Sequence, residues 1–546
     1  MGTMILSSGK IIDGLGNQPF VGHVFIKDDQ IEAVLKENQT LPPADTIIDA
    51  SDRAIAPGFI DMHSHADWVL PSANHPQLLK CLLEQGITTI VAGNCGISPA
   101  PVNRERLQSL TWHNVVSVCL DEPLNYTWRS IGEFLDKIET LHPVLNVAQL
   151  VGHGAIRNSV ASTPNRPMNS NELETCLNEL RCAFDQGACG LSFGLGYSPG
   201  MYSPIEEVEA FCRTAKTSDK LVTVHLKSYA KISHLYSPKI FSKPHNLRAL
   251  KEMLNIARKT GVKLQVSHIM FAGHKTWPTA EDFIRMIDDA YREGINAMVD
   301  AFPYTFGNTS IDVLLSPEFI ATMPASFSSK RAHMKLHYGN EIGFRMVGTS
   351  YEDWQLMDAA IEGWEDLSGL TVPEIARKRN TSPFNIVLTL SEASNGAALM
   401  LLHAISNEQI LECVLSHDLC LFETDAVIKS KGYPNPAALG TFPKILGHYV
   451  RERKLFSIEK AIQRTTSASA KRFGIKDRGV LEPGKAADIV VFNPETVSET
   501  PPMDGKPAGR PTGIQHVFVN GTQVVKDGEY IDSVRAGQVL RLGGTL

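Results

Sequence analysis

Hydrophobic positions follow two different rhythms along the chain. In residues 1–57, and again from about residue 478 onward, short apolar runs alternate with Gly, Asp, Asn and Pro, which is typical of strands joined by turns. Asn520-Gly521, between two apolar runs of the tail, is a strong hairpin signal. We therefore predict that residues 1–57 and 478–546 together form one small β-sandwich domain built from both termini.

Residues 58–477 alternate short apolar runs with helix-like stretches. The eight apolar runs are Phe59–His65, Thr88–Asn94, Leu145–Gly152, Ala188–Gly194, Leu221–Leu226, Lys263–His268, Asn296–Phe302 and Cys420–Thr424. Since each parallel strand needs a crossover, this pattern predicts an α/β fold, a (β/α)8 TIM-like barrel. An open doubly wound sheet is the alternative, although no Gly-rich phosphate-binding fingerprint follows the first run. The rhythm fails at about 310–384, which we interpret as a lid-like insertion over the barrel mouth.

Composition narrows the function classes. The 546 residues carry a net charge of −7 without a basic block, which disfavours nucleic acid and anionic membrane surfaces as partners. No apolar run approaches the ~18 residues of a membrane-spanning helix, and the N-terminus lacks the basic start of a signal peptide. The nine cysteines are scattered and form no CxxC pair, which argues against a disulfide framework and a zinc ribbon. We expect a cytoplasmic protein with reduced thiols.

The residues that end the apolar runs carry the candidate chemistry. Five of the runs end at or next to a metal-ligand type of residue: His63 and His65, Cys95, His225, His268 and Asp425. In a barrel the carboxyl ends of the strands meet at one mouth, so these side chains become neighbours. Thiolate sulfur and imidazole nitrogen are preferred zinc ligands. The sequence therefore predicts a zinc site at the mouth.

The motifs around these residues resemble those of the amidohydrolase superfamily and, within it, of the N-acyl-D-amino-acid deacylases (D-aminoacylases). The motifs that carry the resemblance are Pro57-Gly58-Phe59-Ile60-Asp61-Met62-His63-Ser64-His65, Gly93-Asn94-Cys95-Gly96, Leu150-Val151-Gly152-His153-Gly154, Gly440-Thr441-Phe442-Pro443-Lys444 and Val480-Leu481-Glu482-Pro483-Gly484-Lys485-Ala486-Ala487-Asp488. The resemblance runs nearly end to end. Many superfamily members bridge two metals with a carboxylated Lys of the fourth strand, but the fourth run here, Gly190–Gly194, contains no Lys.

The resemblance implies a ligand set and a mechanism. A tight zinc site would use Cys95, His225 and His268, and a second, weaker site would use His63 and His65. Asp425 would touch the second site and act as general base, because a carboxylate beside the metal can take a proton during attack and return it to the leaving amine. An N-cap role is the structural alternative for Asp425.

Two positions depart from the family pattern, in which cations hold the substrate carboxylate. Met270 stands where the family has Lys, and Ala437 stands where it has Arg. Asn308 replaces the usual Ser after the seventh run. We infer that the substrate lacks a free α-carboxylate, unless a nearby lysine supplies a replacement cation; the nearby lysines are Lys227, Lys275, Lys429 and Lys431.

Further candidates have less support. Tyr304, after the seventh run, is a candidate oxyanion donor, with packing under the lid as its alternative. His153 could donate to the substrate carbonyl or be structural. Tyr197 and Tyr202 lie in a loop that resembles a substrate-facing segment of the family, although such aromatic residues often cover a core.

The expected function is zinc-dependent hydrolysis of a linear N-acyl bond in a small acylated amine or amino-acid derivative. Hydrolysis of a cyclic amide is a second interpretation, and a non-catalytic scaffold is a third, which the presence of all six candidate ligands disfavours. Whether one or two metals work, and the oligomeric state, stay open, although a barrel of this size often pairs.

Overall fold

A computed structural model of the chain describes residues 2–105, 124–161, 166–237, 243–503 and 506–542. Eight parallel strands form one sheet in chain order. They are Phe59–Ser64, Ile87–Ala92, Asn146–Gly152, Gly190–Gly194, Leu221–His225, Lys263–Val266, Ala297–Ala301 and Cys420–Phe422, named below the first to eighth barrel strands. A parallel bridge between Ser64 and Ala426 brings the two ends of this sheet together. The barrel is confirmed, and an open sheet is excluded.

Helices connect the barrel strands and cover their outer faces. The main ones are His75–Leu83, Ile131–Leu141, His153–Val160, Ser170–Asp185, Ile205–Thr217, His245–Thr260, Ala280–Arg292, Glu408–Ser416, Pro436–Lys444, Ile458–Thr465 and Ser467–Phe473. Their apolar faces pack on the sheet in a single large core, which includes Phe134, Phe211 and Phe283, all fully buried. None of the helices among the described residues is long and apolar enough to cross a membrane.

A second sheet joins both ends of the chain. Its nine strands are Thr3–Ile11, Phe20–Lys27, Gln30–Lys36, Thr46–Asp49, Ala54–Pro57, Ile489–Phe492, Ile514–Val519, Thr522–Lys526 and Glu529–Tyr530. Strand Ile489–Phe492 pairs with Ala54–Pro57, and this pairing joins the N-terminal and C-terminal halves of the β-rich domain. Residues after Tyr530 leave the sheet, and Val539 forms a bridge with Val147 of the third barrel strand.

The inserted segment is longer than the predicted 310–384. Strand Gly307–Ser310 pairs with Leu399–Leu402, which in turn pairs with Trp354–Asp358. The helices of the insertion are Pro317–Ile320, Lys330–Val347, Val372–Lys378 and Pro383–Ala393. Its side chains form a core of their own around Leu356, which includes Trp354.

Candidate metal centre

The six predicted ligands come together at the carboxyl ends of the barrel strands. Cys95 Sγ lies 3.2 Å from His268 Nε2 and 4.0 Å from His225 Nδ1, and these two nitrogens are 3.1 Å apart. The same sulfur lies 3.4 Å from His63 Nε2. Donor atoms from five strand ends, far apart in sequence, therefore surround a small volume.

The first set of donors fits zinc. Tetrahedral zinc places sulfur and nitrogen ligands about 3.6 Å apart and two nitrogen ligands about 3.3 Å apart. The separations among Cys95, His225 and His268 are 3.2, 4.0 and 3.1 Å, close to this geometry. The other ring nitrogen of His268, Nδ1, is buried without a hydrogen-bond partner among the described residues.

A second set of donors adjoins the first. His63 Nε2 and His65 Nε2 each lie 3.4 Å from Asp425 Oδ1. The three groups have ligand atoms close enough to hold one ion, as do those of His63, Cys95 and His268. His63 thus stands between the two positions, and the chain offers donors for one metal ion or for two.

Electrostatics favour the ligating forms of Cys95 and Asp425. Burial alone would raise the pKa of the Cys95 thiol, but the neighbouring His63 and His268 hold it well below its usual value. Burial would also raise the pKa of Asp425, yet His65 and His63 lower it. A thiolate and a carboxylate beside imidazoles form the donor set that a divalent cation requires.

Strained backbone positions hold three of these side chains in place. Cys95, His268 and Asp425 have φ values of 56°, 33° and 48°, in the left-handed region that non-glycine residues rarely occupy. Tyr197 Oη donates to the Cys95 carbonyl oxygen at 2.6 Å. Asp300 Oδ1 accepts from the His268 backbone N–H at 2.7 Å. Such outliers cluster at functional sites, where surrounding contacts maintain them.

Sequence reasoning missed two carboxylates below the donors. Asp300 and Glu423 form a third possible metal-holding group with His63. Glu423 is fully buried, and neither carboxyl oxygen has a hydrogen-bond partner among the described residues. The alternation of side chains along the eighth apolar run was the available signal: Leu421 packs in the cluster inside the barrel, and Glu423, two residues later and just past the end of the strand, is expected on the same side.

His153 lies in a different environment from the one predicted for a substrate donor. Its Nε2 is 2.9 Å from Glu207 Oε1, and Arg157 Nη1 donates to the same oxygen. Its ring packs against Phe193 and Phe211, and the residue is fully buried. The structural alternative therefore describes His153, because its ring is enclosed in the core on the outer side of the barrel.

Tyr304 is not brought to the metal ligands. Its hydroxyl donates to Glu499 Oε2 at 2.9 Å, and the Pro436 carbonyl oxygen lies 3.2 Å away. Glu499 also pairs with Lys444 at 3.1 Å. The hydroxyl therefore has an acceptor in a tail segment, Glu499, which favours the packing alternative, and the oxyanion role of Tyr304 stays a prediction. For Tyr202 the structure shows no contact with the described ligands.

The two departures from the family pattern, Met270 and Ala437, meet in one apolar cluster. Ala437 packs with Phe302, Tyr304 and Ile405, and Met270 joins the same cluster. Asn308, the third departure, donates through Nδ2 to the Asp425 carbonyl oxygen at 3.3 Å. Met270 and Ala437 therefore lie in apolar surroundings where the family pattern predicts two cations.

Three of the four candidate replacement lysines are engaged elsewhere. Lys227 lies over the Tyr236 ring, and Lys275 Nζ donates to the Arg345 carbonyl oxygen. Lys429 pairs with Asp358. Lys431 is exposed and has no ion-pair partner among the residues that the structure describes.

Comparisons with known proteins agree with this geometry. Residues 46–172 and 421–525 match the model described as Amidohydrolase family. A D-aminoacylase of Alcaligenes xylosoxydans xylosoxydans is 28% identical over 98% of this chain and 97% of its own length.

Two solved structures are similar over the whole length. N-acyl-D-glutamate deacylase from Bordetella bronchiseptica, complexed with zinc and a phosphonate inhibitor, has a TM-score of 0.80 at 28% identity and covers 98% of this chain and 99% of its own. A D-aminoacylase studied for its binuclear metal centre has a TM-score of 0.80 at 26% identity, with the same coverage. The predicted resemblance is confirmed: the chain is similar along its whole length to the D-aminoacylases and matches the amidohydrolase family model over part of its length, and it is a hydrolase of carbon–nitrogen bonds other than peptide bonds.

Proposed function

We propose that this chain hydrolyses a linear N-acyl bond in the manner of a D-aminoacylase, on substrates without a charged group next to the scissile amide. The proposal rests on one observation above all: a chain with a complete set of zinc donors has Met270, two residues after His268, and Ala437 in one apolar cluster where the family pattern has cations. The similar proteins act on N-acyl-D-amino acids according to their names, which favours a D-configured substrate.

Cys95, His225 and His268 would hold a zinc ion at the first position, and His63, His65 and Asp425 at the second. Zinc bound there supplies Lewis acidity toward a carbonyl and lowers the pKa of water toward ~7. The imidazoles keep their ligating nitrogens toward the mouth because the strands that carry them end there.

Asp425 is the proton-transfer group of the proposal. Its carboxylate oxygen lies 3.4 Å from both His63 Nε2 and His65 Nε2, and its side chain is 13% exposed. It is therefore more open to an entering substrate than the buried imidazole of His63. Its lowered pKa keeps it ionised, so that Oδ1 accepts a proton during attack and returns it to the leaving nitrogen.

The apolar cluster sets what can lie beside the reacting bond. A carboxylate placed against Met270, Phe302 and Ala437 would lose its hydration without gaining a charge-assisted hydrogen bond, which costs several kcal/mol. A neutral or apolar substituent would instead gain from burial there. We therefore expect amides, esters or acylated amines to be preferred over free α-carboxylates.

Matched substrate pairs test the proposal. Zinc-loaded protein is offered N-acyl-D-amino acids and their carboxamides or methyl esters, with L-isomers as controls, and kcat/KM is compared. We expect the capped D-compounds to be preferred by about tenfold or more. Preference for the free acids would overturn the substrate assignment, and absence of turnover on every pair would overturn the function.

Cyclic amide hydrolysis is the second candidate. The fourth barrel strand, Gly190–Gly194, offers no Lys to bridge two metals, and Cys95 provides the shared donor instead. This favours the linear substrate. Hydrolysis of hydantoins or dihydropyrimidines faster than of linear amides would reverse the order.

We also propose that the protein works in the cytoplasm. The eight described cysteines form no disulfide, and several are buried, which suits a reducing compartment. A self-associated state is part of the same proposal, on the ground of barrel size alone, and sedimentation velocity would test it.

A further inference from the structure

A cavity of about 330 Å³ lies next to the metal donors without including any of them. Its walls come from helix His75–Leu83, from the insertion strands Trp354–Asp358 and Leu399–Leu402, and from the loop after the eighth barrel strand. Val427 lines this cavity and packs in the same apolar cluster as Cys95. The cavity is large enough for part of a small-molecule ligand.

The charge of the cavity wall is positive. Lys80, Lys429 and Lys431 line it, and Asp358 is the one carboxylate among the lining residues. Asp358 pairs with Lys429, and both side chains are mostly buried. Within the part of the chain that the structure describes, the hydrogen-bond acceptor of Lys80 Nζ is the neutral Gln77 Oε1. The ammonium groups of Lys80 and Lys431 therefore have no compensating carboxylate among the described residues that line the cavity.

A buried donor in the wall also lacks a partner. Asn435 is 4% exposed, and its Oδ1 caps helix Pro436–Lys444 by accepting from the Ala437 N–H at 3.0 Å. Its Nδ2 has no hydrogen-bond partner among the described residues. Leaving a buried amide N–H without an acceptor is unfavourable, so a ligand that accepts from Asn435 Nδ2 gains affinity.

The start of helix Pro436–Lys444 separates two unlike surfaces. Ala437 faces the apolar cluster with Met270, whereas Asn435 and Ala438 line the cavity. A substrate bound across this helix end would therefore meet an apolar surface on one side and donors with positive charge on the other.

We infer that the cavity binds the anionic, carboxylate-bearing end of the substrate, at a distance from the scissile bond. Lys431 and Asn435 are the recognising residues, and Lys80 adds positive charge at the rim. This inference rests on the proposed function for the reacting bond. It adds that the chain recognises negative charge on the substrate remotely, instead of beside the metal.

Equilibrium binding of small anions tests the cavity as a binding site independently of catalysis. Glutarate, its neutral diamide glutaramide, and inorganic phosphate are titrated into zinc-loaded protein by calorimetry, with no turnover required. We expect glutarate to bind and glutaramide to bind at least tenfold more weakly. Lys431→Met should lower the affinity for glutarate about tenfold, and Lys431→Arg should retain most of the wild-type affinity. Lys251→Met, at an exposed lysine of helix His245–Thr260, is the matched control and should match the wild type.

Substrate kinetics then connect the cavity to the reaction. Two N-acyl compounds with the same reacting amide, one with a distal carboxylate and one with a distal carboxamide, are compared by the ratio of their kcat/KM values. Lys431→Met should lower this ratio about tenfold, and Lys251→Met should leave it unchanged.

Equal binding of glutarate to wild type and Lys431→Met would overturn the site. Binding of phosphate alone, or an unchanged kinetic ratio despite glutarate binding, would overturn its assignment to the substrate. Loss of turnover with glutarate binding intact would refute only the proposed reaction.

Discussion

Two buried clusters of this barrel use the same kinds of side chain for different purposes. On the outer side, His153 and Glu207 are accompanied by Arg157, whose guanidinium balances the carboxylate. At the mouth, histidines and carboxylates surround Cys95, and no Lys or Arg of the described residues pairs with the carboxylate of Asp425. The outer cluster supplies its own cation, whereas the mouth cluster does not.

The presence or absence of a paired Arg or Lys distinguishes a structural cluster from a candidate metal site better than the types of residue do, since both clusters contain His and carboxylates. A buried carboxylate needs a positive partner, because desolvation of an isolated charge is costly. Arg157 fills that role for Glu207. At the mouth, Glu423 has no hydrogen-bond partner among the described residues and three further carboxylates lie close to it, so the positive charge must come from protons or from a metal ion. The following substitutions test whether the two clusters can be separated experimentally.

Asp425→Asn should have the largest effect on catalysis. Loss of the proton acceptor should lower kcat by about 10²–10⁴-fold, while zinc remains at the Cys95 position. Steady-state kinetics measures the fall in kcat, and zinc analysis of the same preparation checks that the metal is retained. Turnover within tenfold of the wild type would remove Asp425 from the mechanism.

Cys95→Ala should act on metal binding. Cys95 Sγ lies within 4.0 Å of ring nitrogens of His63, His225 and His268, so it is the central donor of the site. Its removal should therefore lower the affinity for zinc by more than the ~10–100-fold typical of losing an outer partner of a metal ligand. Competition with a chelator measures this affinity. An unchanged zinc stoichiometry and affinity would refute the ligand assignment.

Glu207→Gln should act on stability instead. Removing one member of a buried ion pair costs about 3–5 kcal/mol in the free energy of unfolding, because Arg157 is left without its counter-charge. Denaturant unfolding measures this loss. Zinc content is the control, since Glu207 lies in the outer cluster and should not affect it.

The contribution of Glu207 to the free energy of unfolding should also depend on pH. Burial alone would raise the pKa of Glu207, but His153 and Arg157 lower it to about 2 from an ordinary value of 4.5. A depressed folded-state pKa stabilises the protein above pH 4.5, and this contribution is lost as the pH falls toward 2. The stability difference between wild type and Glu207→Gln should therefore shrink over that range. A constant difference would mean that Glu207 is not ionised in the fold.

Tyr304→Phe should have the smallest effect. Its hydroxyl donates to Glu499, so its loss should cost about 1 kcal/mol of stability and change kcat by less than tenfold. A fall of 10²–10³-fold in kcat, the size expected for an oxyanion donor, would restore the catalytic role that the sequence suggested.

The barrel, and the convergence of the candidate metal ligands at its mouth, could be predicted from the amino-acid sequence because both follow from local patterns. Strand–helix periodicity defines parallel crossovers, and strand ends of a barrel must converge, so His63, Cys95, His225 and Asp425 could be placed together without coordinates. The spacing of His63 and His65 likewise predicts that both side chains point to the same side, and both Nε2 atoms lie 3.4 Å from Asp425 Oδ1.

Which polar residues face the mouth and which face away could be seen only once distant segments were packed together. His153 ends a strand like the ligands do, but it begins a helix and turns to Glu207, a partner 54 residues later in the chain. Tyr304 meets Glu499 of the tail, 195 residues away, and the insertion engages Lys275 and Lys429 through Arg345 and Asp358. Such pairings depend on the packing of distant segments, for which residue type and periodicity carry no signal. The cavity beside Val427 exists for the same reason, because three separate parts of the chain enclose it.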